Sequence, residues 1–215
     1  MSAQLPFEDR LQAAALLAQA LDHWRGRHPL VLAVPRGAVP MGRVIADALD
    51  GELDIVQVRK IGAPFNPEYA LGAVDESGWR YLSAAAQSYG IDPATIDAIA
   101  TREIQRMRER RAQWMGARPP IDPAGRVVIV VDDGLATGAS MIAALHAVRA
   151  RRPAHLICAV AVAAPESLER VRPHADEMVC LAAPPGFEAV GQFYRDFRQV
   201  EDEDVAALLG ADKRT

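Results

Sequence analysis

The 215-residue chain has little of what would point to several common functions. It contains two cysteines, Cys158 and Cys180, both in apolar runs without metal-binding spacing, which suits reduced core residues rather than a disulfide framework. Its five histidines, His23, His28, His146, His155 and His174, show no His-x-x-x-His spacing, so a transition-metal centre is not expected. No basic excess exists. The formal net charge is −4, which gives no general attraction to nucleic acid or to anionic membranes. No apolar run approaches the roughly 18 residues of a membrane span, and the N-terminus lacks a basic-then-apolar leader pattern. The expectation is a soluble cytoplasmic protein without a membrane or nucleic-acid partner. Known nucleotide motifs are missing too. The nearest approach to a Walker loop, Gly37 to Val44, has Arg43 and Val44 where Lys and Ser or Thr belong, and there is no Gly-x-Gly-x-x-Gly. No Gly-x-Ser-x-Gly elbow occurs, so Ser140 is not read as a nucleophile.

What is present is concentrated in residues 126 to 140. Val127 to Val131 is an uncharged run rich in β-branched residues, expected for a strand buried on both faces of a parallel sheet and ending at Asp132. From Ala139, the residues Met141, Ala144, Leu145 and Val148 recur at helical spacing as far as Arg149 to Arg152, and Pro153 stops the helix. Between strand and helix lies Asp132-Asp133-Gly134-Leu135-Ala136-Thr137-Gly138. Thr137 and Ser140 can each cap the helix start, Gly138 permits close backbone approach, and the free N–H groups of the first turn favour an anion. Two carboxylates beside such a turn would repel a phosphate. They are better suited to accept hydroxyl hydrogens or to hold a hard cation such as Mg2+.

The rest of the chain alternates helices and strands. Expected helices cover residues 7 to 24, Met41 to Leu49, Asp92 to about Met115, a short stretch from Pro165, and Glu201 to Leu209. Expected strands cover Leu30 to Val34, Leu53 to Val58, His155 to Val162, and Glu177 to Leu181. Residues 71 to 82 read as a small hairpin around Asp75 to Gly78. This order implies an α/β fold, a mostly parallel twisted sheet with helices on both faces. Two further groups sit at strand ends, where ligands of open α/β sheets bind: Arg36-Gly37 after the first strand, and Arg59-Lys60 after the second. Between Thr101 and Arg118 are six arginines, Arg102, Arg106, Arg108, Arg110, Arg111 and Arg118; with Glu103 and Glu109 interspersed they read as a solvated helix face.

The stretch from Val128 to Ser140 closely resembles the signature of type I phosphoribosyltransferases, which bind 5-phosphoribosyl 1-diphosphate (PRPP): four apolar residues, two acids, three variable positions, Thr-Gly, one variable residue, then Ser or Thr. The resemblance implies that Thr137, Gly138, Ala139 and Ser140 hold the 5-phosphate, within a stretch binding the 5-phosphate and ribose that also includes Gly134, Leu135 and Ala136. It implies that Asp132 and Asp133 hold the ribose hydroxyls. Arg36 and Gly37 resemble the family's pyrophosphate loop, and Arg59 and Lys60 its pyrophosphate-side basic residues. Residues 1–215 would then form one domain, with a core over about 28–182, a lid over about 69–82 and a C-terminal hood or tail over about 183–215. In that tail Phe187 is the candidate acceptor contact. The implied activity transfers the phosphoribosyl group from PRPP to a nitrogenous acceptor with Mg2+ and release of pyrophosphate, in a homodimer. Catalytic roles fall to Asp132, Asp133, Arg36 and Lys60. Where members acting on 6-oxopurines often carry a third acid before Thr-Gly, this chain has Ala136, which disfavours those acceptors and leaves the general base unassigned. A PRPP- or nucleotide-sensing regulator and a hydrolase of PRPP-like compounds are the alternatives on the same fold. The whole chain, with its Pro35-Arg36-Gly37 and Phe193-Tyr194-Arg195-Asp196-Phe197 segments, resembles a bacterial branch of the family whose acceptor is unassigned.

Overall fold

The computed structural model describes residues 4–82 and 90–210, except for the side chains of 67–70. Five parallel strands form the main sheet: β1 (Leu30–Ala33), β2 (Glu52–Ile55), β6 (Val127–Leu135), β7 (His155–Ala163) and β8 (Glu177–Ala182), in the order β2-β1-β6-β7-β8. A second, antiparallel sheet contains β3 (Val58–Ala63), β4 (Asn66–Asp75) and β5 (Arg80–Leu82).

Side-chain alternation along β6 accounts for helices on both faces. Ile129 and Val131 point to one layer, built with Ala13, Ala14 and Leu17 of α1 (Arg10–Ala20), Met41 and Ile45 of α2 (Val39–Ala48), and Val205 and Leu209 of α6 (Asp202–Gly210). Val128 and Val130 point to the other, with Met141, Leu145 and Val148 of α4 (Ala139–Ala150) and Val171 of α5 (Pro165–Val171). A strand buried on both faces has no polar side to offer, which is why its sequence is continuously apolar. The antiparallel sheet makes its own layer, placing Ile61, Leu71 and Val74 against Ile96, Ala100 and Met107 of α3 (Pro93–Met115). That helix starts as its sequence implies: Asp92 accepts the Ala94 N–H at 3.2 Å, and Pro93 occupies the first turn.

Three boundaries differ from the sequence expectation. The segment expected as one strand over Leu53–Val58 is divided between two sheets, so Arg59 and Lys60 lie within β3, paired with Val74 and Ala73, and not in a loop following a parallel strand. Two buried polar side chains cause the break. The Asp54 carboxylate takes the Arg111 guanidinium and the Ile121 N–H, and the Gln57 amide donates to the Met107 carbonyl, which draws the chain away toward α3. Second, β6 does not end at Asp132. It continues through both acids, with Asp132 in register with Val160 and Gly134 with Val162. Third, the helix expected over residues 7–24 is shorter, because Phe7 leaves it to bridge Tyr194 in the C-terminal tail. The expected hairpin over 71–82 belongs to the larger three-stranded sheet, while the expected tail's last five residues lie outside the described residues.

Candidate active site

From β1 the chain proceeds outward to β2, and from β6 outward to β7 and β8, so the neighbouring C-terminal ends of β1 and β6 mark the point where strand order reverses. Such a switch point opens a crevice. Two loops leave from it. The Val34 N–H donates to the Val131 carbonyl at 3.0 Å, bringing the Pro35 to Ala38 loop alongside Asp132 and Asp133. Gly37 then touches the second acid so closely that a Cβ there would overlap Asp133 Oδ2. Glycine at this position lets the two loops meet with Asp133 in this orientation.

Asp133 is held from several sides. Arg10 Nε lies 2.9 Å from Asp133 Oδ2, Arg10 Nη1 donates to the Arg198 carbonyl at 2.7 Å, and the guanidinium carbon sits 3.8 Å from the Phe197 ring centroid. The Tyr194 hydroxyl donates to the Asp133 carbonyl at 2.7 Å. Among the described residues, the Asp132 carboxylate takes one hydrogen bond, from the Asp133 N–H at 2.9 Å. Burial, and then the neighbouring charge of Asp133, hold Asp132 well above the usual carboxylate range. Burial also raises Asp133, against the opposing pull of Arg10. Adjacent acids in this setting gain from a partner that donates hydrogen bonds or carries positive charge.

The turn after β6 is tightly supported behind and open in front. The Ala164 N–H donates to the Leu135 carbonyl at 3.0 Å and the Ser167 hydroxyl to the Ala136 carbonyl at 2.6 Å. Gly134 packs against Val190, and Gly138, at φ 73°, fits against Val171. Gly138 takes the N-cap place that was expected of Thr137 or Ser140; the Thr137 hydroxyl accepts only a long bond, 3.4 Å, from the Ala139 N–H. Thr137, Ala139 and Ser140 are exposed at the start of α4, where backbone donors point outward. They line a cleft of about 1030 Å³ together with Arg59 and Lys60 of β3 and Arg102, Glu103 and Arg106 of α3.

The expected residues therefore fall into two groups. Gly37 meets Asp133 at the β1/β6 switch point, with the neighbouring Arg36 turned toward Glu201 and Asp202, whereas Thr137, Ala139 and Ser140 line the cleft together with Arg59 and Lys60. Phe187 packs half-buried against Phe193, with ring centroids 5.0 Å apart. On the α3 face expected to be solvated, Arg102, Arg106 and Arg108 are exposed, the first two at the cleft, but Arg111 is buried between Asp54 and Glu76. Sequence reasoning missed Arg10, whose only signal is a lone cation at the head of an alanine-rich helix. It also missed the carboxylates of Glu201 and Asp202, 3.6 and 3.4 Å from Arg36 Nη1.

Comparison with known proteins gives a consistent result. The model of the phosphoribosyl transferase domain matches residues 8–198. Two Mycobacterium tuberculosis proteins, from strains CDC 1551 and H37Rv, named "Putative phosphoribosyl transferase" MT0597 and Rv0571c, are each 39% identical over 204 residues. That alignment takes in 94% of this chain and 46% of theirs, so the chain spans about half the length of these curated relatives. The crystal structure of TT1426 from Thermus thermophilus is 46% identical and superposes with a TM-score of 0.85, covering 95% of this chain and 98% of that one. A hypoxanthine phosphoribosyltransferase from Trypanosoma cruzi, complexed with its product IMP, shares the fold at a TM-score of 0.50 and 17% identity, over 93% of this chain and 88% of that one. The switch point, its paired acids and these matches place one conclusion beyond the fold itself: the chain belongs to the phosphoribosyl transferase domain family.

Proposed function

We propose that the protein transfers the 5-phosphoribosyl group from PRPP to a nitrogenous acceptor, with release of pyrophosphate. The observation that carries this reading is the meeting of Gly37 and Asp133 at the β1/β6 switch point, which puts a basic loop and a pair of acids at one crevice. In this reading the first turn of α4, with Thr137, Gly138 and Ser140, binds the 5-phosphate through its N–H groups and hydroxyls. Asp132 and Asp133 accept from the ribose 2- and 3-hydroxyls and so set the sugar's orientation. Arg36, Lys60 and Arg59 attract the pyrophosphate and stabilise the charge that grows on it as the bond to C1 breaks. The antiparallel sheet forms the cover that excludes water while C1 is cationic.

The donor set also fits Mg2+. Two adjacent carboxylates at the end of β6 are half-buried, and oxygen ligands of this kind combine with substrate phosphates to hold a hard cation. Among the described residues no three His, Cys, Asp or Glu side chains cluster to hold a metal; in this reading the ion is taken mainly through the donor's oxygens. When bound, Mg2+ neutralises leaving-group charge. Ala136, exposed ahead of Thr137, supplies no side-chain base, so the acceptor in this reading enters already nucleophilic or loses its proton to another group. The proposal includes a cytoplasmic homodimer. No helix among the described residues is long and apolar enough to cross a membrane. Thermal-shift titration with PRPP and Mg2+, alone and with a panel of nucleobases, tests the reading. A saturable rise with PRPP, extended by one acceptor, is expected; no response to PRPP would rule it out.

A further inference from the structure

We infer that Arg10 is a positioning residue of the PRPP site, acting through Asp133. This rests on the proposed function, since it assigns Asp133 to the ribose. Three anchors fix the guanidinium: Nε on Asp133 Oδ2 at 2.9 Å, Nη1 on the Arg198 carbonyl at 2.7 Å, and its face on Phe197 at 3.8 Å. The Arg10 and Asp133 side chains are only 12% and 14% exposed, so solvent does little to screen the pair. Arg10 Nη2 also borders Gly37, 3.4 Å from where a Cβ would stand. One cation thus touches both loops of the crevice.

Two consequences follow from elementary electrostatics and geometry. Asp132 and Asp133 would repel a polyanionic donor, and a guanidinium beside them offsets that repulsion where the ribose must settle. Arg10 also engages Oδ2 of Asp133, which holds the carboxylate in one orientation for a hydroxyl to meet. The chain's two ends share this task. Arg10 opens α1, while Tyr194, Phe197 and Arg198 come from the C-terminal tail, with the Tyr194 hydroxyl steadying the Asp133 backbone. The tail therefore shapes the ribose site through contacts with Asp133.

Isothermal calorimetry of the full chain with PRPP and Mg2+, and separately with inorganic phosphate, tests the inference. Misplacing a binding carboxylate by even an ångström is costly, so Arg10→Gln is expected to weaken PRPP about tenfold or more, while phosphate at the α4 turn keeps its affinity within about twofold. Arg10→Lys restores the charge without the fork or the stack and is expected to fall between. If Arg10→Gln does not fold, Phe197→Leu removes the platform beneath the guanidinium and is expected to weaken PRPP by roughly threefold. Unchanged PRPP affinity in the folded variant, or equal loss of PRPP and phosphate, overturns the role given to Arg10. A wild-type protein that binds no PRPP overturns the proposed function as well, and the wild-type titration separates the two failures.

Discussion

Arg36 Nη1 lies 3.4 Å from Asp202 Oδ1, and that same oxygen accepts the Trp114 indole N–H at 3.0 Å. The guanidinium assigned to pyrophosphate is therefore already engaged by the acidic start of α6. Asp202→Asn keeps an oxygen for the indole but removes the charge that competes with an incoming anion. Half-exposed ion pairs contribute about 0.2–1 kcal/mol, so pyrophosphate should bind roughly 1.4- to fivefold more tightly to this variant. Competition calorimetry with pyrophosphate reads the change; weaker or unaltered binding counts against Arg36 as a pyrophosphate ligand.

Arg111 joins the two sheets. It donates to Asp54 Oδ1 at 2.9 Å, to the Ile55 carbonyl at 3.1 Å and to Glu76 at 2.7 Å, and Glu76 belongs to the β4–β5 turn. Arg111→Ala leaves two carboxylates without their cation, Asp54 in the interior, a loss of roughly 3–5 kcal/mol. For a chain of this size that lowers Tm by roughly 6–20 °C. Differential scanning calorimetry measures it. A shift of a degree or two would mean the network is dispensable.

Gly37→Ala tests the contact between the loops. Because its methyl would overlap Asp133 Oδ2, either the Asp133 carboxylate must turn away or one of the two loops must move. PRPP affinity should fall by about tenfold or more with only a small change in Tm, since the overlap lies at the rim of the crevice and away from the packed layers. Retained affinity would show that the crevice tolerates a wider separation.

The acids carry a pH signature. Burial and Asp133 raise Asp132 above its unfolded value near 3.8, so the native state binds a proton more tightly than the unfolded chain. Stability is then lost as pH rises from that value through the raised native pKa, and the cost is fully present above it. Asp132→Asn removes the cost. Its Tm at neutral pH should exceed that of the wild type, the difference should vanish at pH values below about 4, and PRPP binding should be lost. A lower neutral-pH Tm in this variant would contradict the electrostatic reading of the site.

Much of this was legible in the sequence, for identifiable reasons. The β6 strand, the acids and the turn into α4 are consecutive in the chain, so strand, turn and helix start could be read together, and Asp92-Pro93 announced the start of α3. The division of Leu53–Val58 was not legible, because strands of two different sheets share one apolar pattern and only the partners of Asp54 and Gln57 separate them. Arg10 was hidden for a different reason. It lies 123 residues from Asp133, and nothing local distinguishes an arginine on a surface helix from one whose charge is consumed by a distant carboxylate. Arg111 likewise looked solvated among its neighbouring arginines until tertiary contacts placed it inside.

Acceptor-dependent release of pyrophosphate from PRPP is the most direct measurement of phosphoribosyl transfer. With Mg2+ and a panel of nitrogenous acceptors, release should require one acceptor, yield its ribose 5-phosphate adduct in equal amount, and disappear in Asp133→Asn. Release that proceeds equally without any acceptor, or PRPP left intact across the panel, would contradict a phosphoribosyltransferase.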